Sequence, residues 1–368
     1  MIYRNLLFFL HFSLLPLPGS EKIDAAIDLN KRDFSPVFVR MSDQLVTCAG
    51  EYEKQIIVRS DKTRSKNRKE VIGLLQQKAK DSREALNGTL SRFSKEGEIR
   101  NIRKFWVVNG FTCLARASAI RKLANQPEVS MIYLDRFAQP VRQSSSMTAS
   151  QFQDMRNILA EWRRKDSRPS KNVSIPWNVR EIGANLAWKE VNATGRGVKV
   201  AVIDTGIVPA PALIHALAKN PGEELNGLDD DGNGLIDDLF GYDFKTNNGC
   251  VLDTSKTTSH GSACAGIIAG RPSISGLQTA IAPDAKIMLL KGGFDLRSLE
   301  YLMTNGADIV SMSFMIVNRD LGQIRGLFRN AFEHLSLGGV LAVGGAGNYG
   351  PQSHRAMPRG KQIGLPKD

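Results

Sequence analysis

Apolar and polar positions follow two different rhythms along the chain. Lys54-Gln-Ile-Ile-Val-Arg59 alternates as a strand does, and Val71, Leu74, Leu75, Leu86, Leu90 and Phe93 then recur at mostly helical spacing. Three short apolar runs, Phe105-Trp-Val-Val108, Phe111-Thr-Cys-Leu114 and Met131-Ile-Tyr-Leu134, predict further strands, with a short helix near residues 118–124. The resulting order β-α-β-β-α-β is a ferredoxin-like α+β arrangement, placed over residues 48–143. Residues 144–172 are polar and rich in Ser and Arg, with Arg163-Arg-Lys165 in the middle, and predict a linker. From Trp177 onward the rhythm changes. Apolar runs at 198–203, 286–290, 308–312 and 339–343 alternate with helix-like stretches near 211–219, 260–269, 297–305 and 323–336. That alternation predicts an α/β domain with a mostly parallel, doubly wound sheet.

At 368 residues the chain has room for two domains and a tail, and 42% hydrophobic residues with 33 Gly fit a soluble globular protein. The net charge of +12 suggests nucleic acid until its distribution is considered. Residues 21–180 carry 31 Lys and Arg against 18 Asp and Glu, whereas residues 181–368 carry 17 against 19. The densest basic run, Asp61-Lys-Thr-Arg-Ser-Lys-Asn-Arg-Lys69, contains no aromatic residue on which a base could stack. A solvated basic face meeting a mildly acidic domain is the expectation, with no nucleic-acid partner. Residues 1–20 place Arg4 before an apolar stretch beginning Leu6-Leu-Phe-Phe-Leu10 and ending in Pro16-Leu-Pro-Gly-Ser20. The stretch is short for a bilayer span and reads as an export signal; a hydrophobic N-terminal strand is the other reading. Secretion or export follows from the first, with no membrane span in the mature form. Four cysteines, Cys48, Cys113, Cys250 and Cys264, do not make a disulfide framework in a chain of this length.

Candidate chemistry sits in the second half. Asp204 follows the run Val198-Lys-Val-Ala-Val-Ile203, at the carboxyl end of a predicted strand, where open parallel sheets build their sites. An Asp there could also simply cap a helix. His260 opens the small-residue stretch Gly261-Ser-Ala-Cys264-Ala-Gly266, which suits a helix lying close to the sheet. Asn348 stands in Gly344-Gly-Ala-Gly-Asn348-Tyr-Gly350, either as a turn residue tolerating positive φ or as an amide donor to a developing oxyanion.

Those three segments, in that order, closely resemble the subtilases, the subtilisin-like serine peptidases. The resemblance implies a subtilisin-like sheet, C-terminally incomplete in this chain, over residues 173–368. It implies that Asp204 and His260 are the triad Asp and His, and that Asn348 belongs to the oxyanion hole. Ser311, Ser313, Phe314 and Gly345 would line the cleft that takes protein or peptide substrates. The family usually has Gly where this chain has Met315, and many relatives have His at Ala263 and Gly at Ser259. The family nucleophile lies in a Gly-Thr-Ser segment several dozen residues past the Asn. The one serine after Asn348 is Ser353, in Pro351-Gln-Ser-His354, and it does not match. The stretch Trp106-Val-Val-Asn-Gly-Phe111 with Leu123–Val129 resembles the inhibitor-like propeptide of many subtilases, which would make residues 48–143 an intramolecular inhibitor cut away between 144 and 172. A secreted endopeptidase zymogen is the reading this supports. A catalytically inactive pseudo-protease, or a propeptide-type inhibitor and binding protein, is the alternative.

Five carboxylates fall between residues 229 and 238. Asp229, Asp231, Asn233 and Asp237 place oxygen ligands as in the first half of a calcium loop, although Phe240 stands where such a loop ends in Glu. A calcium site and a charged surface turn both fit this pattern.

Overall fold

A computed structural model describes residues 19–47, 49–59, 62–138, 143–164, 173–253, 259–272, 276–292, 295–314 and 322–345. The expected export signal therefore lies almost wholly outside the described residues, as do Asn348, Met315 and Ser353.

The N-terminal unit begins with β1 (Ser35–Met41), followed by α1 (Ala49–Arg59) and the long α2 (Arg64–Lys95). Then come β2 (Ile99–Phe105), β3 (Gly110–Ala115), α3 (Ala117–Ala124) and β4 (Val129–Leu134). The sheet is antiparallel throughout, in the order β2-β3-β1-β4. Its first strand is not the expected run at 54–59, which forms the C-terminal half of α1. Two things favour helix there. The Glu51 carboxylate accepts from both the Thr47 amide, at 2.7 Å, and the Thr47 hydroxyl, at 2.6 Å, fixing the helix start. The β1 segment buries residues on both its faces, whereas Ile57 is 71% exposed in α1. Val37, Val39 and Met41 pack with Leu86, Leu90, Phe93 and Ile120 under α2 and α3, while Phe38 points to the other side.

Residues 149–163, expected within a polar linker, form α4 (Ala149–Arg163). Thr148 and Gln151 make a reciprocal capping box, and Met155, Ile158 and Leu159 give a narrow apolar stripe that buries against the second unit.

The second unit has α5 (Trp177–Glu181), α6 (Ala184–Val191), β5 (Lys199–Asp204), α7 (Pro211–Ile214), β6 (Gly241–Asp243) and α8 (His260–Ala269). It continues with β7 (Lys286–Lys291), α9 (Leu296–Thr304), β8 (Ile309–Met312), α10 (Arg325–Leu337) and β9 (Leu341–Gly344). All its strands are parallel, in the order β6-β7-β5-β8-β9. The doubly wound expectation is met, because alternate residues of the central strands feed two cores. Val200, Val202, Ile287 and Leu289 pack with Ala265 and Ala269 of α8 and with α4. Ala201, Ile203, Met288 and Leu290 pack with Leu299 and Leu302 of α9 and Leu335 of α10. Burial on both faces explains why β5 and β7 read as unbroken apolar runs.

The two units share a core. Phe38, Phe105 and Val107 of the N-terminal unit join Leu299, Leu302, Leu327 and Phe328 of α9 and α10. Polar contacts lock this face. Glu300 accepts from the backbone N–H groups of Trp106 and Val107. Arg68 of α2 donates to Asp308 at 3.1 Å and to the Gly338 carbonyl at 3.1 Å, with both charged side chains buried. His334 of α10 is fully buried; its Nδ1 donates to the Val107 carbonyl at 2.6 Å and its Nε2 accepts from the Val46 amide at 3.2 Å.

A proton added at Nε2 would face an N–H donor in a dry site, and burial pushes the His334 pKa down to about 4 from its ordinary 6.5. Because the folded value is the lower one, the unfolded chain takes up the proton first as pH falls. Stability is lost from about pH 6.5 down to about pH 4, at up to about 1.4 kcal/mol per pH unit. Urea midpoints measured across that window should fall more steeply for the wild-type chain than for His334→Leu.

Candidate active site

Asp204 ends β5 in the middle of the parallel sheet, so its carboxylate emerges at the carboxyl edge where the chain turns away. The turn is tight. Gly206 has φ +92°, a left-handed conformation that favours glycine, and Gly261 sits so close that a Cβ there would run into the Gly206 carbonyl oxygen. Ser259 caps α8, accepting from the Ser262 amide at 3.4 Å and donating to the Gly206 carbonyl at 3.0 Å. The Thr205 hydroxyl accepts from the Gly261 amide at 3.2 Å. Glycine, a capping serine and a threonine thus seat the start of α8 directly on the end of β5.

This seating delivers His260 to Asp204. The imidazole Nδ1 lies 2.8 Å from Asp204 Oδ1 and 2.9 Å from Oδ2. An ionised carboxylate can only accept, so Nδ1 carries the proton and Nε2 is left with its lone pair. The Asp204 side chain is 5% exposed and that of His260 is 58% exposed. The pair is therefore a sheltered carboxylate beside an accessible imidazole. Ser311 lies on β8 beside β5, and Ser313 and Phe314 continue past its end. Gly345 follows β9, with its amide donating to the Met312 carbonyl at 3.0 Å. Asp204, His260, Ser313, Phe314 and Gly345 thus share one edge of the sheet, while Asn348 falls outside the described residues.

Cys264 lies beside this pair. The structure sets its sulfur 3.8 Å from His260 Nδ1 and 4.0 Å from Nε2, one helical turn along α8. Burial raises its thiol pKa, the Ser313 side chain hydrogen-bonds it and lowers it, and the Asp204 charge raises it.

The acidic loop forms a second cluster. Glu223, Asp229 and Asp231 bring one carboxylate oxygen each within 4.8 Å of one another. Asn233 instead donates to Asp238 at 3.3 Å, and Asp237 Oδ1 is taken by the amides of Asn226 and Gly227, each at 2.9 Å. Asp238 stands among the five carboxylates of the sequence but not among the expected ligands, and Glu223 was missed. Glu223 lies six residues ahead of the run, and its side chain is fully buried. Burial raises Glu223 to about 7 and Asp238 to about 6, each assisted by neighbouring carboxylates. Glu223 Oε2, Asp237 Oδ2 and Asp238 Oδ1 are buried without hydrogen-bond partners. An oxygen-only donor set with orphaned acceptors fits a hard divalent cation.

Comparison with known proteins bears directly on the Asp204 and His260 segments, because residues 195–367 match the Subtilase family of peptidases. Similar proteins include the minor extracellular proteases of Bacillus subtilis. Vpr is 30% identical over 199 residues, covering 50% of this chain and 21% of Vpr. Epr is 28% identical over 241 residues, covering 63% of this chain and 31% of Epr. The chain therefore spans less than a third of the length of these relatives. A solved structure of MycP1 with the N-terminal propeptide removed is 27% identical, covers 48% of this chain and 51% of MycP1, and superposes with a TM-score of 0.29.

The seating of α8 gives a direct test. Gly261→Ala should lower stability by about 1–3 kcal/mol, since the new methyl meets backbone rather than a flexible side chain. Urea denaturation followed by near-UV circular dichroism measures this; an unchanged midpoint would show that the contact is not tight.

Proposed function

We propose that this chain carries the proton-relay half of a secreted subtilisin-type serine endopeptidase that cleaves proteins or peptides. The observation that carries the reading is the Asp204–His260 contact at 2.8 and 2.9 Å with an exposed imidazole, at the carboxyl edge of a parallel sheet. In this role His260 Nε2 takes the proton of a serine hydroxyl as it attacks the scissile carbonyl, and later returns it to the leaving amine. Asp204 holds Nδ1–H and stabilises the imidazolium that forms between these steps. Asn348 supplies an amide to the oxyanion, worth roughly 3 kcal/mol in the transition state. The nucleophile is a serine of a Gly-Thr-Ser segment. Ser313, Phe314 and Gly345 flank the cleft that receives an extended substrate.

The N-terminal unit acts as propeptide and intramolecular inhibitor. Its sheet covers α9 and α10, and Glu300, His334 and Asp308 pin it in place. Release follows cleavage between residues 144 and 172, a span that contains α4. The export reading of residues 1–20 fits the extracellular relatives, and no described helix is long and apolar enough to cross a membrane.

Calcium binds the acidic loop, held by Glu223, Asp229 and Asp231 with Asp238 close by. Bound there, it neutralises carboxylates that otherwise repel one another in a part-buried loop. Saturating calcium at about 100 times its Kd should stabilise the fold by about 2.7 kcal/mol. Thermal melts with Ca2+ and with EGTA measure this; the increment should disappear in Glu223→Gln.

The decisive assay uses the product of the natural reading frame on a peptide library. Asp204→Asn leaves the geometry but reverses the histidine tautomer, and kcat should fall about 10⁴-fold. Absence of hydrolysis by the mature wild-type protein would instead favour a pseudo-protease or an inhibitor.

A further inference from the structure

We propose that the cavity between the two units binds a small apolar amine, with an aromatic or alkyl body and one ammonium group, and that Asp135 receives the ammonium. The cavity has a volume of about 420 Å³, a size typical of small-molecule sites. Its walls come from both units. The N-terminal sheet contributes Phe38 of β1, Phe105 of β2 and Leu114 of β3, and the second unit contributes Leu296 of α9 with Leu327 and Phe328 of α10. The Phe38 and Phe105 rings stack with centroids 5.9 Å apart. Phe137, just past β4, meets Phe328 edge-on at 5.2 Å across the join. Asn101 and Ala138 also line the cavity and are exposed, which gives it a mouth to solvent.

The apolar walls select the body of the ligand, and charge selects its head. Among the described residues, two carboxylates line the cavity, those of Asp135 and Asp295, against one guanidinium, that of Arg103. Asp295 is already compensated. Arg297 clasps it through Nε at 2.9 Å and Nη2 at 2.6 Å, and it caps α9 by accepting from the Arg297 amide at 2.9 Å. Asp135 has no such clasp. Among the described residues its side chain accepts one hydrogen bond, from the Phe137 amide at 2.9 Å, and forms no ion pair.

Burial pushes the Asp135 pKa up to about 6, and the Asp295 charge adds to this, against the pull of the Phe137 amide and of Arg103. A carboxylate so placed lacks a cation. An ammonium brings three N–H donors and a positive charge to its remaining lone pairs. A carboxylate on the ligand would instead add a third anion beside two. Because both units contact the ligand, occupation favours the docked arrangement over separation of the units. The site does not depend on the peptidase reading.

NMR titration of the full-length chain with phenethylamine at neutral pH tests the site, in a His260→Ala background that blocks self-cleavage by the proposed route. A Kd below about 10 mM is expected, which a ligand of this size reaches at modest efficiency. Phenylacetate, similar in shape and opposite in charge, should bind at least about tenfold more weakly. Asp135→Asn keeps an acceptor for the Phe137 amide and should weaken amine binding at least about tenfold without weakening phenylacetate. The amine stays protonated as pH falls, so its affinity should drop about tenfold per pH unit below about pH 6, where a proton competes for Asp135. That dependence should vanish in Asp135→Asn. Leu114→Trp fills the cavity and should abolish binding; it serves as the test if Asp135→Asn fails to fold. The melting temperature of the assembled chain should rise with amine concentration. No binding below about 10 mM, phenylacetate binding as tightly as the amine, an unmoved melting temperature, or unchanged affinity in the folded variants would overturn the proposal.

Discussion

The chemistry of this protein depends on one close approach, between the start of α8 and the turn that ends β5. No Cβ fits between Gly261 and the Gly206 carbonyl, and that contact sets the distance at which His260 meets Asp204. Parallel pairing of β5 with β7 and β8 fixes where Asp204 leaves the sheet. The Ala and Gly residues of α8 let the helix lie low enough to match. A bulkier helix would still fold over the sheet, but it would carry the imidazole away from its carboxylate.

The same sheet explains how the two units are held together. Its opposite face is covered by α9 and α10, and these helices in turn bury one face of the N-terminal antiparallel sheet. Hydrophobic burial supplies the attraction. The ionic and polar contacts of Arg68, Glu300 and His334 specify the register, because each would leave a buried group without a partner if the sheet slid along the helices.

Much of the second unit was legible in the sequence because its central strands β5 and β7 are buried on both faces. Continuous runs such as Val200-Ala-Val-Ile203 announce themselves, and α8 was located to the residue by its histidine start and small-residue content. The N-terminal unit was harder. Ser35-Pro-Val-Phe-Val-Arg-Met41 opens with Ser and Pro and was passed over, while the β-branched run of α1 was taken for the missing strand. Both errors have one cause: cross-strand partners at Thr112, Phe111 and Ile132 decide which segment enters the sheet, and a local window does not contain them. The stripe in α4 was hidden for a different reason, since Phe152, Met155, Ile158, Leu159 and Trp162 in a polar stretch mean little until a neighbour buries them. At the site, Asp204 and His260 could be found from their segments. Glu223 could not, because nothing in its immediate neighbours marks a carboxylate that folds back under a loop.

The central claim is that the Asp204–His260 pair exists to activate a serine. Labelling with a fluorophosphonate, which modifies only an activated serine, addresses this most directly when applied to the mature product of the natural reading frame. The account predicts one modified serine in a Gly-Thr-Ser segment, with labelling lost in His260→Ala while the fold is retained. A mature, folded protein that takes no label, or labels equally well without His260, would contradict it.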